Sequence, residues 1–87
     1  MQTIDEIIAD FALLDGWEDR YRYLLGLGRA LPDLGPDEMT EATKVRGCVS
    51  QVWLVSESDD ARPPHLSFRG DSDAHIVKGL VAIALAL

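Results

Sequence analysis

Apolar residues Ile4, Ile7, Ile8, Phe11 and Leu14 recur at helical spacing and fall on one face, which predicts an amphipathic helix over Thr3 to Leu14. Thr3 and Glu6 have capping-box spacing, in which a hydroxyl and a carboxylate satisfy N–H groups left over in the first turn. Asp15-Gly16 breaks the pattern. A second helix is predicted from Trp17 to Ala30, with Asp15 and Glu18 again at capping-box spacing and Trp17, Tyr21, Leu24, Leu25 and Leu31 marking its buried side. Pro32 ends it, because proline disfavours helical geometry in the residue before it. From Pro32 to Thr43 the chain holds Gly35-Pro36 and the acids Asp33, Asp37, Glu38 and Glu41, and it reads as a solvated loop.

After Lys44 the period changes from helix to strand. Gln51 to Glu57 is rich in β-branched and aromatic residues, and His65 to Arg69 alternates, with Leu66 and Phe68 on one face. The polar stretch Ser58 to Pro64 between them is a turn, so the two runs predict an antiparallel hairpin, with a third short strand at Lys44–Val45. Gly70-Asp71-Ser72-Asp73 leads into a last helix, with Ser72 or Asp71 placed to cap it. The fold class is α+β: two N-terminal helices, a small antiparallel sheet of two or three strands, and a hydrophobic C-terminal helix.

That last helix departs from the rest. From Ile76 to Leu87 only Lys78 and Gly79 are not apolar, and a helix apolar all round needs cover on most sides. It is shorter than the roughly 20 residues that cross a bilayer, so no membrane span is expected and a central core helix is. The expectation is that the chain is one domain, a shortened form of a longer one, or that another chain covers this helix.

Composition narrows the partners. With 15 acidic and eight basic residues the formal charge is −7, and no basic stripe interrupts it, so nucleic acid is not an expected partner. A partner with a basic surface suits it better. One cysteine excludes an internal disulfide and fits a reducing, cytoplasmic setting. Acids in Met1 to Glu6, where a signal peptide has a basic start, show no export signal.

The one cysteine, Cys48, lies in Lys44-Val45-Arg46-Gly47-Cys48-Val49-Ser50-Gln51, just before a strand. Gly47 permits a tight turn, and Lys44 and Arg46 favour the thiolate, the nucleophilic form. The alternative is a buried structural cysteine, and no histidine lies nearby in sequence to form a Cys–His pair. His65 and His75 lack metal-ligand spacing with each other or with Cys48, so no metal site is expected. Asp71-Ser72-Asp73 lacks the alternating ligands of a calcium loop, and Gly26-Leu27-Gly28 ends a helix rather than following a strand, unlike a dinucleotide fingerprint.

Three segments carry a family resemblance. Trp17-Glu18-Asp19-Arg20-Tyr21-Arg22-Tyr23-Leu24-Leu25, with Leu27-Gly28 and Leu31-Pro32, resembles the second helix of the SufE proteins. Val45 to Leu54 resembles their cysteine loop and following strand, and Phe68 to Leu80 their second signature. The resemblance implies a fold shared with IscU-type scaffolds and a persulfide-forming role for Cys48. It implies that Asp73 helps hold the cysteine loop down, and that Arg46, Gly47, Ser50 and Gln51 are loop positions beside the thiol. The implied donor is a SufS- or CsdA-like cysteine desulfurase, and the implied acceptor is a SufB-like scaffold. The pyridoxal phosphate would belong to the desulfurase, leaving this chain without a cofactor. Family members continue for several dozen residues past the position of Leu87, with helices that cover the core and contribute to docking.

The expected function is therefore that of a non-enzymatic sulfur carrier, which takes sulfur onto Cys48 for iron–sulfur cluster assembly and stimulates the desulfurase. When idle, the thiol is expected to be tucked against apolar residues near Val49 and Val52, with the Arg46–Ser50 loop moving outward on docking. The rival is an interaction module that modulates a desulfurase without carrying sulfur. A free-standing thiol enzyme ranks last, for want of a base.

Overall fold

The computed structural model describes residues 2–87, which form α1 (Ile4–Leu13), α2 (Trp17–Ala30), β1 (Val52–Ser58), β2 (Leu66–Ser72) and α3 (His75–Ala86). The architecture is the α+β arrangement that the periodicity predicts. The strands pair antiparallel from Val52↔Ser72 to Ser58↔Leu66. The third strand shrinks to one bridge, Lys44↔Trp53, flanked by bonds from Val45 N–H to Val52 O (2.8 Å) and from Leu54 N–H to Thr43 O (2.9 Å).

Helix starts follow the local chemistry at α1 only. There the Thr3–Glu6 capping box is formed. At α2 the N-cap is Gly16, not Asp15, so Glu18 falls one position short of reciprocal capping and instead accepts from Arg22 at 2.7 Å, one turn on. At α3 the N-cap is Ala74, and no side chain caps it. Asp71 and Ser72 are not caps because β2 runs three residues past Arg69 and absorbs both.

The centre of the fold is the crossing of α2 and α3. A Cβ added at Gly28 would lie 2.8 Å from the Gly79 backbone nitrogen, and one added at Gly79 would overlap the Leu24 carbonyl oxygen. The two backbones therefore touch with no side chain between them. On its next face α3 meets the sheet, where a Cβ at Gly70 would come within 2.8 Å of Val81 Cγ1. Ile7, Leu31, Leu34, Val52 and Ala82 form the buried apolar core around this junction. The α1 helix is attached by an edge-to-face contact of Phe11 and Tyr23, with ring centroids 5.1 Å apart, and by the Tyr23 hydroxyl donating to Asp10 at 2.6 Å. That hydroxyl bond, joined by the Gln2 amide, holds the Asp10 carboxyl below its usual range.

Asp71 is the one buried charged residue among those described. Its carboxylate accepts from the backbone N–H groups of Leu34 (3.0 Å) and Ser72 (2.8 Å) and lies 3.1 Å from Lys78 Nζ, which also pairs with Asp33. Arg69, two residues earlier and so on the same face of β2, pairs with Glu38 and Glu57. The segment 32–43 is therefore not simply solvated, because Asp33, Leu34 and Glu38 tie it to α3 and β2. Burial pushes the Asp71 carboxyl up, but the two N–H bonds and Lys78 outweigh it and the net shift is downward. Bonding to Asp33 raises Lys78, with burial opposing and Asp71 adding.

Cover over the core is thin. The accessible surface is 6253 Å², against about 5,100 Å² for a compact monomer of this mass. The radius of gyration is 14.3 Å, against about 12 Å for a compact domain of this length. Trp17 and Tyr21 share the stripe of Leu24 and Gly28, yet Trp17 is 82% exposed and Tyr21 is exposed too, because the helix contact is centred further along α2. Leu66 and Phe68 are likewise exposed, near the far end of the hairpin. The α3 helix is central but covered only in part, since Leu80 and Ala84, one turn apart, face outward.

Two outcomes are expected in urea unfolding. Gly79→Ala forces the crossing apart and lowers stability by about 1–3 kcal/mol, as overpacking does; an unchanged midpoint would refute the close approach. Asp71 has a lowered folded pKa, so its contribution is full above the ordinary carboxylate value of about 4 and is lost as pH falls through the folded value. Lys78, raised, contributes fully below about 10.4 and loses its share as pH rises through its folded value. Asp71→Asn therefore costs about 1–3 kcal/mol at pH 7 and flattens the acid limb of the stability curve; parallel acid limbs for parent and variant would rule this out.

Candidate functional site

Cys48 lies on a projecting loop whose two ends are fixed to the hairpin. At its start the Lys44↔Trp53 bridge and the Val45–Val52 bond close the neck. At its end, Gln51 N–H donates to Asp73 Oδ1 at 3.0 Å, and Gln51 O accepts from Asp73 N–H at 3.2 Å and from the Ser72 hydroxyl at 2.7 Å. Gln51 is thus gripped through its backbone, one step beyond the last ladder pair, Val52↔Ser72. Between these anchors Arg46 to Ser50 runs outside the sheet. Gly47 turns the chain with φ +87°, a left-handed conformation that costs a residue with a Cβ roughly 1–2 kcal/mol.

The thiol itself is exposed. Val49 is 107% exposed, so it shields nothing, and only Val52 is buried. The tucked resting state expected from the sequence is therefore not what the chain adopts. Val52 is the first residue of β1 and its side chain goes into the core, while Val49 lies three residues upstream on the projecting part. Presenting Cys48 requires no outward loop movement in this conformation.

Arg46, expected beside the thiol, places its guanidinium 3.4 Å from Glu41. Both side chains are mostly exposed, so the pair adds little stability. It does spend the Arg46 charge on a carboxylate rather than on the sulfur. Gly47, Cys48 and Gln51 are exposed and Ser50 is half-buried. Asp73 meets the loop at Gln51, where it holds the backbone and does not touch the thiol.

Two participants escaped the sequence. Ser72, read as a helix cap, donates to Gln51 instead, and Glu41, read as one of several solvated acids, holds Arg46. The first had a signal, since an antiparallel hairpin pairing Val52 with Ser72 necessarily sets Gln51 across from Asp73. The second had none, because it joins two irregular segments.

The other sequence candidates lie elsewhere. His65 Nδ1 is 2.7 Å from Asp59 in the hairpin turn, and His75 opens α3. Among the described residues, no group of three or more His, Cys, Asp or Glu side chains is placed to hold a metal ion, and no helix is long and apolar enough to cross a membrane. A surface concavity of about 360 Å³ is lined by Ala30, Leu31, Pro32, Phe68, Arg69 and Leu85, none of them on the cysteine loop. The site is an exposed thiol on a loop whose two ends are hydrogen-bonded to the hairpin and to Asp73.

Comparison with known proteins agrees with the motifs. The family model for the SufE Fe-S metabolism associated domain matches residues 5–87. An uncharacterized SufE-like protein of Rhizobium etli is 60% identical over 87 residues, covering 99% of this chain and 59% of that protein. Another, of Rhizobium meliloti, is 57% identical over 88 residues, covering 100% of this chain and 63% of that protein. The chain spans about three fifths of the length of these relatives. By the extent of the family match and the level of identity, this chain belongs to the SufE family, a family associated with iron–sulfur metabolism.

Proposed function

We propose that this chain is a sulfur carrier that accepts a sulfur atom on Cys48 from a cysteine desulfurase and delivers it for iron–sulfur cluster assembly. One observation carries the reading: in a chain of the SufE family, the lone cysteine stands exposed on a glycine-turned loop that is fixed at both ends. A substrate pocket and a neighbouring base would be needed for a thiol enzyme, whereas a carrier needs accessibility and a defined position.

In the transfer, the Cys48 thiolate attacks the outer sulfur of a persulfide held by the desulfurase. A new sulfur–sulfur bond forms at Cys48 as the old one breaks, and the desulfurase cysteine leaves as a thiolate. Any proton on the outer sulfur travels with it, so the exchange needs no oxidant or reductant. The pyridoxal phosphate that releases sulfur from free cysteine belongs to the desulfurase, of SufS or CsdA type, and a SufB-like scaffold is the onward acceptor. Such chemistry suits a reducing compartment such as the cytoplasm, where an exposed thiol stays free. Arg46, Gly47, Ser50, Gln51 and Asp73 serve the thiol by fixing the loop, with the backbone grip of Asp73 on Gln51 as its downstream anchor.

Incubation with a desulfurase and free cysteine should add the mass of one sulfur atom to Cys48, and Cys48→Ser should abolish both that shift and the stimulation of the desulfurase. Stimulation that persists in Cys48→Ser, with no sulfur on the parent chain, would replace the carrier with a modulating interaction module. Asp73→Ala removes one bond to the loop, worth about 0.5–1.5 kcal/mol, so hydrogen exchange at the Gln51 amide should quicken by up to about tenfold. An unchanged exchange rate would mean that Asp73 does not anchor the loop.

A further inference from the structure

We infer that Val49 is a specificity-determining contact for the sulfur donor, and that it enters an apolar-walled cleft beside the donor's persulfide together with Cys48. This inference rests on the carrier reading above and adds a named residue and the chemistry of the surface it meets.

Among the described residues Val49 is the most exposed large apolar side chain, at 107%, and it immediately follows the thiol. Most other exposed apolar residues sit on helices or on the hairpin, among them Ile8 and Leu13 on α1, Leu66 and Phe68 on β2 and Leu80 on α3, and Val45, only 37% exposed, is bonded into the neck of the loop. Val49 alone stands on the loop that carries the nucleophile, beyond the reach of the core. The loop's anchors explain why it stays out. The neck at Val45–Val52 and the grip on Gln51 leave five residues between them, and the turn at Gly47 spends one of those on reversing direction.

The tip is also set apart by charge. In a chain of net charge −7, the four residues Gly47-Cys48-Val49-Ser50 carry none, and the nearest cation, Arg46, is held by Glu41. With the thiol neutral, an uncharged tip with one branched apolar side chain can leave water at small electrostatic cost, while the charged side chains at its base, Lys44, Arg46 and Glu41, cannot. Transfer also gains from such desolvation. A thiolate and a persulfide meeting in a dry cleft are screened from competing thiols, and attraction to any cation or backbone N–H in the cleft strengthens as water leaves. Within the chain, Val49 gains nothing from being apolar; inside a donor's cleft it gains the burial of its two methyl groups.

The test uses the whole chain and a desulfurase, with sulfur transfer to Cys48 followed over a range of chain concentrations. Val49→Thr keeps the branched shape and replaces one methyl with a hydroxyl; it should raise the half-saturating concentration by about tenfold while leaving the maximal rate nearly unchanged. Val49→Ile should do no worse than the parent. Alkylation of Cys48 by iodoacetamide in the free chain should proceed at the same rate in all three, because nothing in the chain itself covers either residue. Equal half-saturation for parent and Val49→Thr, with sulfur still reaching Cys48, would overturn this inference and leave the carrier reading standing. Altered alkylation in Val49→Thr would also overturn it, by tracing the effect to the thiol rather than to docking. Absence of sulfur on Cys48 in the parent would remove both.

Discussion

The backbone contact between α2 and α3 at Gly28 and Gly79 is the constraint from which the rest of the arrangement follows. Two helices that touch without intervening side chains have little freedom in their separation, and any added carbon meets backbone rather than a movable side chain. With α3 fixed on α2, Gly70 can lie against Val81, and Lys78 comes within reach of Asp71 and Asp33. Those charges then draw the irregular segment 32–43 onto the other side of β2. A thin apolar core is thus supplemented by a buried carboxylate with its bonds satisfied, which is the condition under which burying a charge is tolerable.

The loop bearing Cys48 inherits its position from this frame by way of strand register. Because Val52 faces Ser72, Gln51 faces Asp73, and the residue that starts the turn into α3 also ends the cysteine loop. A helix held by the glycine crossing therefore fixes, through three residues of chain, where the thiol can be. This coupling links packing to chemistry without any direct contact between the core and the sulfur. It also explains how so exposed a segment keeps a defined geometry: both of its ends are held by backbone hydrogen bonds.

Much of this was legible in the residues. The five elements follow from the change of period after Lys44 and from the breaks at Asp15-Gly16 and Pro32, and the capping box at Thr3 and Glu6 formed as its spacing requires. Less legible was which part of an apolar stripe is covered. Trp17 and Tyr21 lie on the correct face of α2, but periodicity gives a direction and not the length over which a partner runs alongside. The caps proposed at Asp15 and Ser72 failed for a related reason. A cap depends on where a helix starts to within one residue, and at α3 that point was set by how far the β ladder continued.

By itself the sequence determined the α+β class, the hairpin, the family and the position of the single cysteine, because each depends on residue type and short-range spacing. Tertiary structure alone decided that Gly28 and Gly79 meet, that Asp71 is buried against Leu34 and Lys78, that Arg46 is turned to Glu41, and that Cys48 and Val49 stand in solvent. These are relations between segments far apart in the chain or joined by irregular backbone. No local pattern encodes them, since they follow from how the elements pack and not from what each one is.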